Sequence, residues 1–261
     1  MKVTVCELSE NREEFDKDWI ELTQYLDDVQ TDLLLLPEMP FFRWIAADPA
    51  ATDQVKEESV RQHQKKIKEI ETMNARWVVY STPEITPGGF LNTAYLFDKK
   101  NGYRKLHTKT YFPEEPHFWE ETWFDREEIP AFDVADLGDF KIGVLLCTEL
   151  WFTNHARDYG KQGADIILCP RATGFTGIEK WIICGRTSAI ISGAYCVSSN
   201  RSGIGDDKFR WGGAGWIAEP VTGALIAVTS GSKKFVTHNI DLVKSRSAKY
   251  EYPLYVSAYD M

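Results

Sequence analysis

The sequence predicts an α/β fold in one domain over residues 1–261, on three observations. Short apolar runs alternate with stretches of helical periodicity, which implies a sheet with helices packed on it. Leu33 to Leu36 is continuously apolar, as a strand buried on both faces is. The chain then closes in consecutive short strands, which implies antiparallel pairs added to that sheet or to a second one. No linker, low-complexity segment or repeat interrupts this order, so one domain is the simplest account.

Lys2 to Leu8 reads as the first strand. Phe15, Trp19, Leu22, Leu26 and Val29 then recur at spacings of four and three, one face of a helix with Ser9 or Asn11 as N-cap. After Leu33–Leu36, a helix with a charged outer face spans Thr52 to Asn74. Trp77–Ser81 and Thr93–Phe97 read as strands, with a turn from Pro83 to Phe90 marked by two prolines and two glycines. Lys141–Leu146 is the next strand, Leu150–Gly163 a helix, Asp165–Cys169 a strand and Ile178–Ser192 a helix. Tyr195–Ser198, Gly215–Ala218, Leu225–Thr229 and Lys234–Ile240 are the closing strands, with a turn at Pro220 and Gly223.

A net charge of −9 argues against nucleic acid as a partner, because phosphate binding needs a basic surface. The 43% of hydrophobic residues suffices for a sizeable core. No apolar stretch approaches the roughly 20 residues that span a bilayer, and Lys2 and Glu7 break any signal-peptide pattern. The five cysteines are odd in number and form no close-set pair, which points away from a disulfide framework or a zinc site. A reducing, cytoplasmic setting is the expectation.

Cys147 stands out among the five. It ends an apolar strand and precedes a helix-like stretch, and a helix N-terminus stabilises a thiolate. Thr148 supplies a backbone N–H where an oxyanion would form, whereas Cys169, also at a strand end, is followed by Pro170, which has none. Glu38 closes Asp32–Pro37, and Lys105 closes a stretch after Asn92–Phe97. A glutamate can take the thiol proton and a lysine can stabilise an anionic tetrahedral intermediate. Such strand ends converge where an open α/β sheet binds ligands. Spacing alone does not exclude Lys109, and a Cys–His pairing stays open, although none of the five histidines is marked out.

These residues sit in motifs. Leu36-Pro37-Glu38, Tyr103-Arg104-Lys105-Leu106-His107, Ile142 to Cys147, Trp151-Phe152 with Arg157, Gly163-Ala164-Asp165, Pro170 with Ala172, and Asn200-Arg201 with Gly203 occur in one order. In that order the chain resembles the carbon–nitrogen hydrolase family, or nitrilase superfamily, over nearly its whole length. The resemblance implies a four-layer α-β-β-α sandwich and a homodimer, through the helices after Cys147 and around Trp181, or a higher homo-oligomer. It implies a Glu38, Lys105 and Cys147 triad, choosing Lys105 over Lys109, with Glu120 as a second glutamate that competes with Glu114, Glu115 and Glu121. It implies no metal or organic cofactor and a small-molecule substrate: an amide or N-carbamoyl compound, with a nitrile or a non-catalytic binding role as alternatives. Thr153-Asn154 departs from the family's usual Pro-Glu.

The resemblance places the pocket at Phe41–Trp44, Tyr111–Phe124 and Arg171–Phe175. Phe41 and Trp119 are candidates to wall off water, and Thr148 to contact substrate. Arg171 or Arg43 could bind a substrate carboxylate, or could pair with an internal acid such as Glu149 or Asp165. The acidic loop from Glu114 to Glu121 could instead favour an amine-bearing substrate.

Overall fold

A computed structural model describes residues 1–256. The first half runs β1 (Lys2–Ser9), α1 (Arg12–Val29), β2 (Thr31–Leu35), α2 (Asp53–Ile70), β3 (Ala75–Thr86), β4 (Gly89–Asp98) and β5 (Gly102–Thr108). A hairpin, β6 (Glu114–Glu115) and β7 (Phe118–Trp119), leads into the short helix α3 (Glu120–Trp123). The second half runs β8 (Ala135–Asp136), β9 (Lys141–Val144), α4 (Thr153–Lys161), β10 (Ile166–Arg171), α5 (Ile178–Ser192) and β11 (Tyr195–Ser202). β12 (Trp216–Ala218), β13 (Leu225–Val228), β14 (Phe235–Asn239) and α6 (Leu242–Ala248) complete it.

The strands form one hydrogen-bonded path, β5-β4-β3-β2-β1-β11-β10-β9-β8, with β12 on β11, β13 on β12 and β14 on β1. β1 joins its two halves. Val3 to Val5 pair with β2, and Glu7 to Ser9 pair with β11. The halves pack face to face. Val3, Val5, Leu33, Leu35 and Val79 meet Ile142, Val144, Ile166, Leu168 and Val197 in one core, and Trp77 meets Phe140 edge-on at 5.0 Å. Strand alternation sends Leu34, Leu36 and Val78 to the opposite face, against Phe15, Trp19, Leu22 and Leu26 of α1 and Ile70 of α2. On the other side Leu145, Ile167, Cys169 and Trp216 pack against Ala156 and Tyr159 of α4 and Cys184 and Ala189 of α5. The order of layers is α-β-β-α.

Helix starts follow their caps. Asn11 accepts a hydrogen bond from the Glu14 amide at 3.2 Å, and Thr52 caps α2. One expected turn is shorter than its composition suggested: β3 continues through Pro83, which pairs with Asn92 of β4. β2 pairs with β3 only as far as Val79, so beyond it β3 is an edge, where a missing N–H costs nothing. The helix expected over Leu150–Gly163 is split, with a 3-10 turn at Cys147–Trp151 before α4. Among the described residues no helix is long and apolar enough to cross a membrane.

α4 and α5 approach closely because Gly160 has no side chain: a Cβ there would lie 2.4 Å from the Ser192 carbonyl oxygen. Alanine favours a helix over glycine by about 1 kcal/mol, but overpacking costs about 1–3 kcal/mol, and a backbone neighbour cannot swing aside. Gly160→Ala is therefore expected to lower the urea midpoint; an unchanged or raised midpoint would show that the two helices can part.

Candidate active site

Three strand ends deliver the site. β2 passes its last ladder bond, Leu36 N to Val79 O at 2.9 Å, and two residues later presents Glu38. Beyond β5, the Lys109 amide donates to Asn92 O at 2.9 Å and its side chain turns inward. Beyond β9, Leu145 N donates to Leu168 O at 3.0 Å, and Cys147 follows with φ at +48°. A non-glycine residue in the left-handed region is strained, and such strain gathers at functional sites.

Lys109 is the centre of the cluster. Its ammonium donates to Glu38 Oε1 at 2.8 Å and to Glu120 Oε2 at 2.5 Å, and all three side chains are buried. Asn92 Nδ2 also donates to Glu38 Oε1, at 2.9 Å. Glu38 Oε2 and Glu120 Oε1 are buried with no hydrogen-bond partner, so each carboxylate keeps one oxygen free. Arg201 holds the Glu38 backbone: its Nε donates to Glu38 O at 3.1 Å, and its remaining donors reach Met39 O, Phe42 O and the Glu10 carboxylate. Cys147 Sγ lies 3.8 Å from Ala172 O, and Cys147 lines a cavity of about 370 Å³. Glu120, Thr148, Trp181, Phe118 and Phe209 are among the side chains lining it.

The lysine expected at this place is a different one. Lys105 is 43% exposed and pairs with Glu127 at 2.5 Å. Tyr95 lies opposite Lys105 and Ala94 opposite His107, so Leu106 is an extra residue, a β-bulge that reverses the alternation. Lys105 therefore shares the outer face with Tyr95, while His107 and Lys109 turn toward the face of Ala94 and Asn92. The lysine of the motif thus faces outward, and Lys109, four residues later, is the one that reaches Glu38.

A model of the carbon-nitrogen hydrolase family matches residues 2–250. The chain belongs to the carbon-nitrogen hydrolase family. It is similar to nitrilase homolog 2 of Dictyostelium discoideum, 26% identical over 200 residues that cover 73% of this chain and 60% of that one. It is similar to N-carbamoylputrescine amidase of Solanum tuberosum, 26% identical over 181 residues that cover 63% of this chain and 59% of that one. The chain thus spans about 60% of the length of these curated relatives. A solved carbon-nitrogen hydrolase from Helicobacter pylori G27 shares the fold, with a TM-score of 0.84 at 19% identity over 98% of this chain and 94% of that one.

In this family member the surroundings of the thiol disfavour its charged form. Cys147 is 3% exposed, and burial pushes its pKa well above the ordinary 9.0; the Glu38 charge adds to that and Lys109 opposes it. The helix-end stabilisation expected from the sequence is outweighed, since the turn after Cys147 is only a 3-10 segment of five residues. Burial works against the Lys109 charge too, but the flanking Glu120 and Glu38 carboxylates outweigh it and raise its pKa. The Glu120 pKa is raised by burial first, with Lys109 opposing and Glu38 adding to the rise.

The remaining expected contacts divide. Thr148 borders the cavity, and its amide has no acceptor among the described residues. Arg171, 1% exposed, spends its guanidinium on Ser198 Oγ at 2.6 Å, Thr173 Oγ1 at 3.0 Å and Ala214 O at 2.8 Å. It is neither free for a substrate carboxylate nor paired with Glu149 or Asp165. Phe41 is a core residue, edge-on to Trp19 at 5.2 Å and to His63 at 5.6 Å, on the α1–α2 side of the sheet. Trp119 is half-buried outside the cavity; its neighbour Phe118 points in, as alternation along β7 requires. Arg43 is exposed over the Phe42 ring. Among the described residues no three His, Cys, Asp or Glu side chains are placed to hold a metal ion.

Sequence reasoning missed Asn92, His107 and Glu149 as parts of the site. Glu149 is fully buried and accepts from Leu146 N at 2.8 Å, Thr110 N at 2.7 Å and His107 Nε2 at 2.7 Å. It ties the turn at Cys147 to the segment after Lys109. A polar residue inside an apolar strand, as Asn92 is in Phe90–Phe97, is the kind of signal that could have marked the first of them.

Burial lowers the His107 pKa, but the Glu149 charge and hydrogen bond outweigh it, and the net shift is upward from 6.5. A base held protonated by folding adds stability below its unfolded pKa and loses it as pH rises through the folded value. The difference in urea midpoint between the native chain and His107→Gln should therefore be largest in mild acid and shrink with rising pH. A difference that grows with pH would contradict the charged pair.

Proposed function

We propose that this chain hydrolyses the carbon–nitrogen bond of a small amide or N-carbamoyl compound through Glu38, Lys109, Cys147 and a cysteine acyl-enzyme. The observation that carries this reading is the buried Lys109 bridging Glu38 and Glu120, with Glu120 and Cys147 lining one cavity.

The chemistry follows from which atoms are free. Glu38 Oε2, the unpartnered oxygen, takes the thiol proton as Cys147 Sγ attacks the carbonyl carbon. An ammonium has three N–H bonds; two of Lys109's are held by Glu38 and Glu120, and the third is left for the forming oxyanion, which the Thr148 amide also faces. The tetrahedral intermediate collapses, the C–N bond breaks, and Glu38 returns the proton to the departing nitrogen. Water, deprotonated by Glu38, then attacks the thioester, the C–S bond breaks, and the thiol regains its proton as the acid is released. Glu120 positions Lys109 without touching the sulfur. Because burial holds the thiol pKa up, Glu38 serves acylation as well as hydrolysis in this scheme. The five buried free thiols fit a reducing compartment such as the cytoplasm. The exposed Trp151, Phe152 and Ile183 on the α4–α5 side fit a homodimer through that face.

Ammonia release over a panel of small amides, N-carbamoyl compounds and nitriles tests the reading. Turnover is expected on the first two classes. Cys147→Ala should abolish it and Cys169→Ala should keep most of it. Losing an oxyanion donor costs on the order of 100-fold or more, so Lys109→Ala should be nearly inactive, while Lys105→Ala should stay within a few-fold of native. Equal losses from both lysine changes, or ammonia from nitriles alone, would overturn it.

A further inference from the structure

We infer that the catalytic cavity selects substrates whose non-reacting end carries a cation, an ammonium held by Glu115 against Phe118 and Phe209. This rests on the amide-hydrolase reading of the same cavity and adds the substrate class to it.

The lining of the cavity contains no Lys, Arg or His side chain and two carboxylates, Glu115 and Glu120. Glu120 lies deep, with one oxygen on Lys109 and the other buried without a partner. Glu115 is exposed and makes no ion pair or side-chain hydrogen bond among the described residues. Its neighbours are committed elsewhere: Glu114 accepts from Thr122 N at 3.1 Å and Thr122 Oγ1 at 2.5 Å, and Glu121 pairs with Arg126. Within the acidic loop, Glu115 alone both borders the cavity and keeps its charge free.

The hairpin sets its direction. Glu115 lies directly opposite Phe118 in the β6–β7 pair, so the two side chains share a face. Phe118 meets Phe209 edge-on at 5.6 Å, and both rings line the cavity. A carboxylate beside aromatic faces suits an alkylammonium, which gains an ion pair and a cation–π contact together. A carboxylate-tailed substrate would find repulsion from Glu115 and no cationic side chain in the lining, and Arg171 is spent on Ser198, Thr173 and Ala214. The cavity, about 370 Å³, has room for a scissile amide and a short alkyl chain.

The test compares kcat/KM for three chains of four methylenes ending in ammonium, methyl or carboxylate, each as the primary amide and as the monosubstituted urea. An exposed ion pair plus a cation–π contact is worth about a tenfold preference, so ammonium should exceed methyl by about that factor, with carboxylate last. The preference should shrink at high ionic strength. Glu115→Gln should bring the ammonium-to-methyl ratio close to one, and Glu115→Lys should put carboxylate above ammonium. Glu121→Gln should keep the native ratio. Turnover with methyl equal to or above ammonium, or a ratio unmoved in Glu115→Gln, would overturn the substrate class and leave the hydrolase reading standing. No turnover of any of the six compounds, with no acyl group on Cys147, would remove both.

Discussion

The Lys109 ammonium between Glu38 and Glu120 is the interaction on which the site depends. A buried ammonium and the carboxyl groups around it are costly unless each is paired and hydrogen-bonded, and here Lys109 bonds to Glu38 and Glu120 at once. The pairing also orients them. By occupying one oxygen of Glu38, Lys109 and Asn92 leave the other without a partner, as the proposed base requires. The same ammonium opposes the Cys147 pKa rise that burial and Glu38 cause. In the proposed mechanism, orientation, acid–base chemistry and charge stabilisation therefore meet in one side chain.

Backbone geometry makes that pairing available. β2, β5 and β9 end at one edge of the two packed half-sheets, and each presents its polar residue within three residues of its last ladder pair. Arg201 from β11 fixes the backbone at Glu38, and Glu149 fixes the turn at Cys147. The inter-sheet core of Val3, Val5, Leu35, Val144, Leu168 and Val197 sets the distance between these ends. A large-to-small change there would disturb the site without touching it.

How much of this was legible in the sequence depended on the range of the physics involved. Strands and helices with strong periodicity, such as α1 with its Phe15 to Leu26 face, were readable because local pattern and burial agree. Glu38 and Cys147 were legible as residues closing buried strands. The lysine was not. Lys105 and Lys109 are four apart, so a regular strand would put them on the same face, and only the bulge at Leu106, a property of pairing with β4, separates them. Pro83 misled for a related reason: whether proline ends a strand depends on whether a neighbour needs its N–H. Arg171 and Phe41 were placed near the pocket by position along the chain, whereas their side chains are taken up by tertiary partners that no local pattern encodes.

The central claim is that Cys147 rests as a buried thiol and is activated only by handing its proton to Glu38. The ultraviolet absorbance of the thiolate, measured across pH as the difference between the native chain and Cys147→Ala, tests it most directly. The account predicts no Cys147-specific step below the ordinary thiol value of 9.0. A step with a midpoint below about pH 7, in the range of activated cysteines, would reveal a preformed thiolate–lysine pair and contradict it.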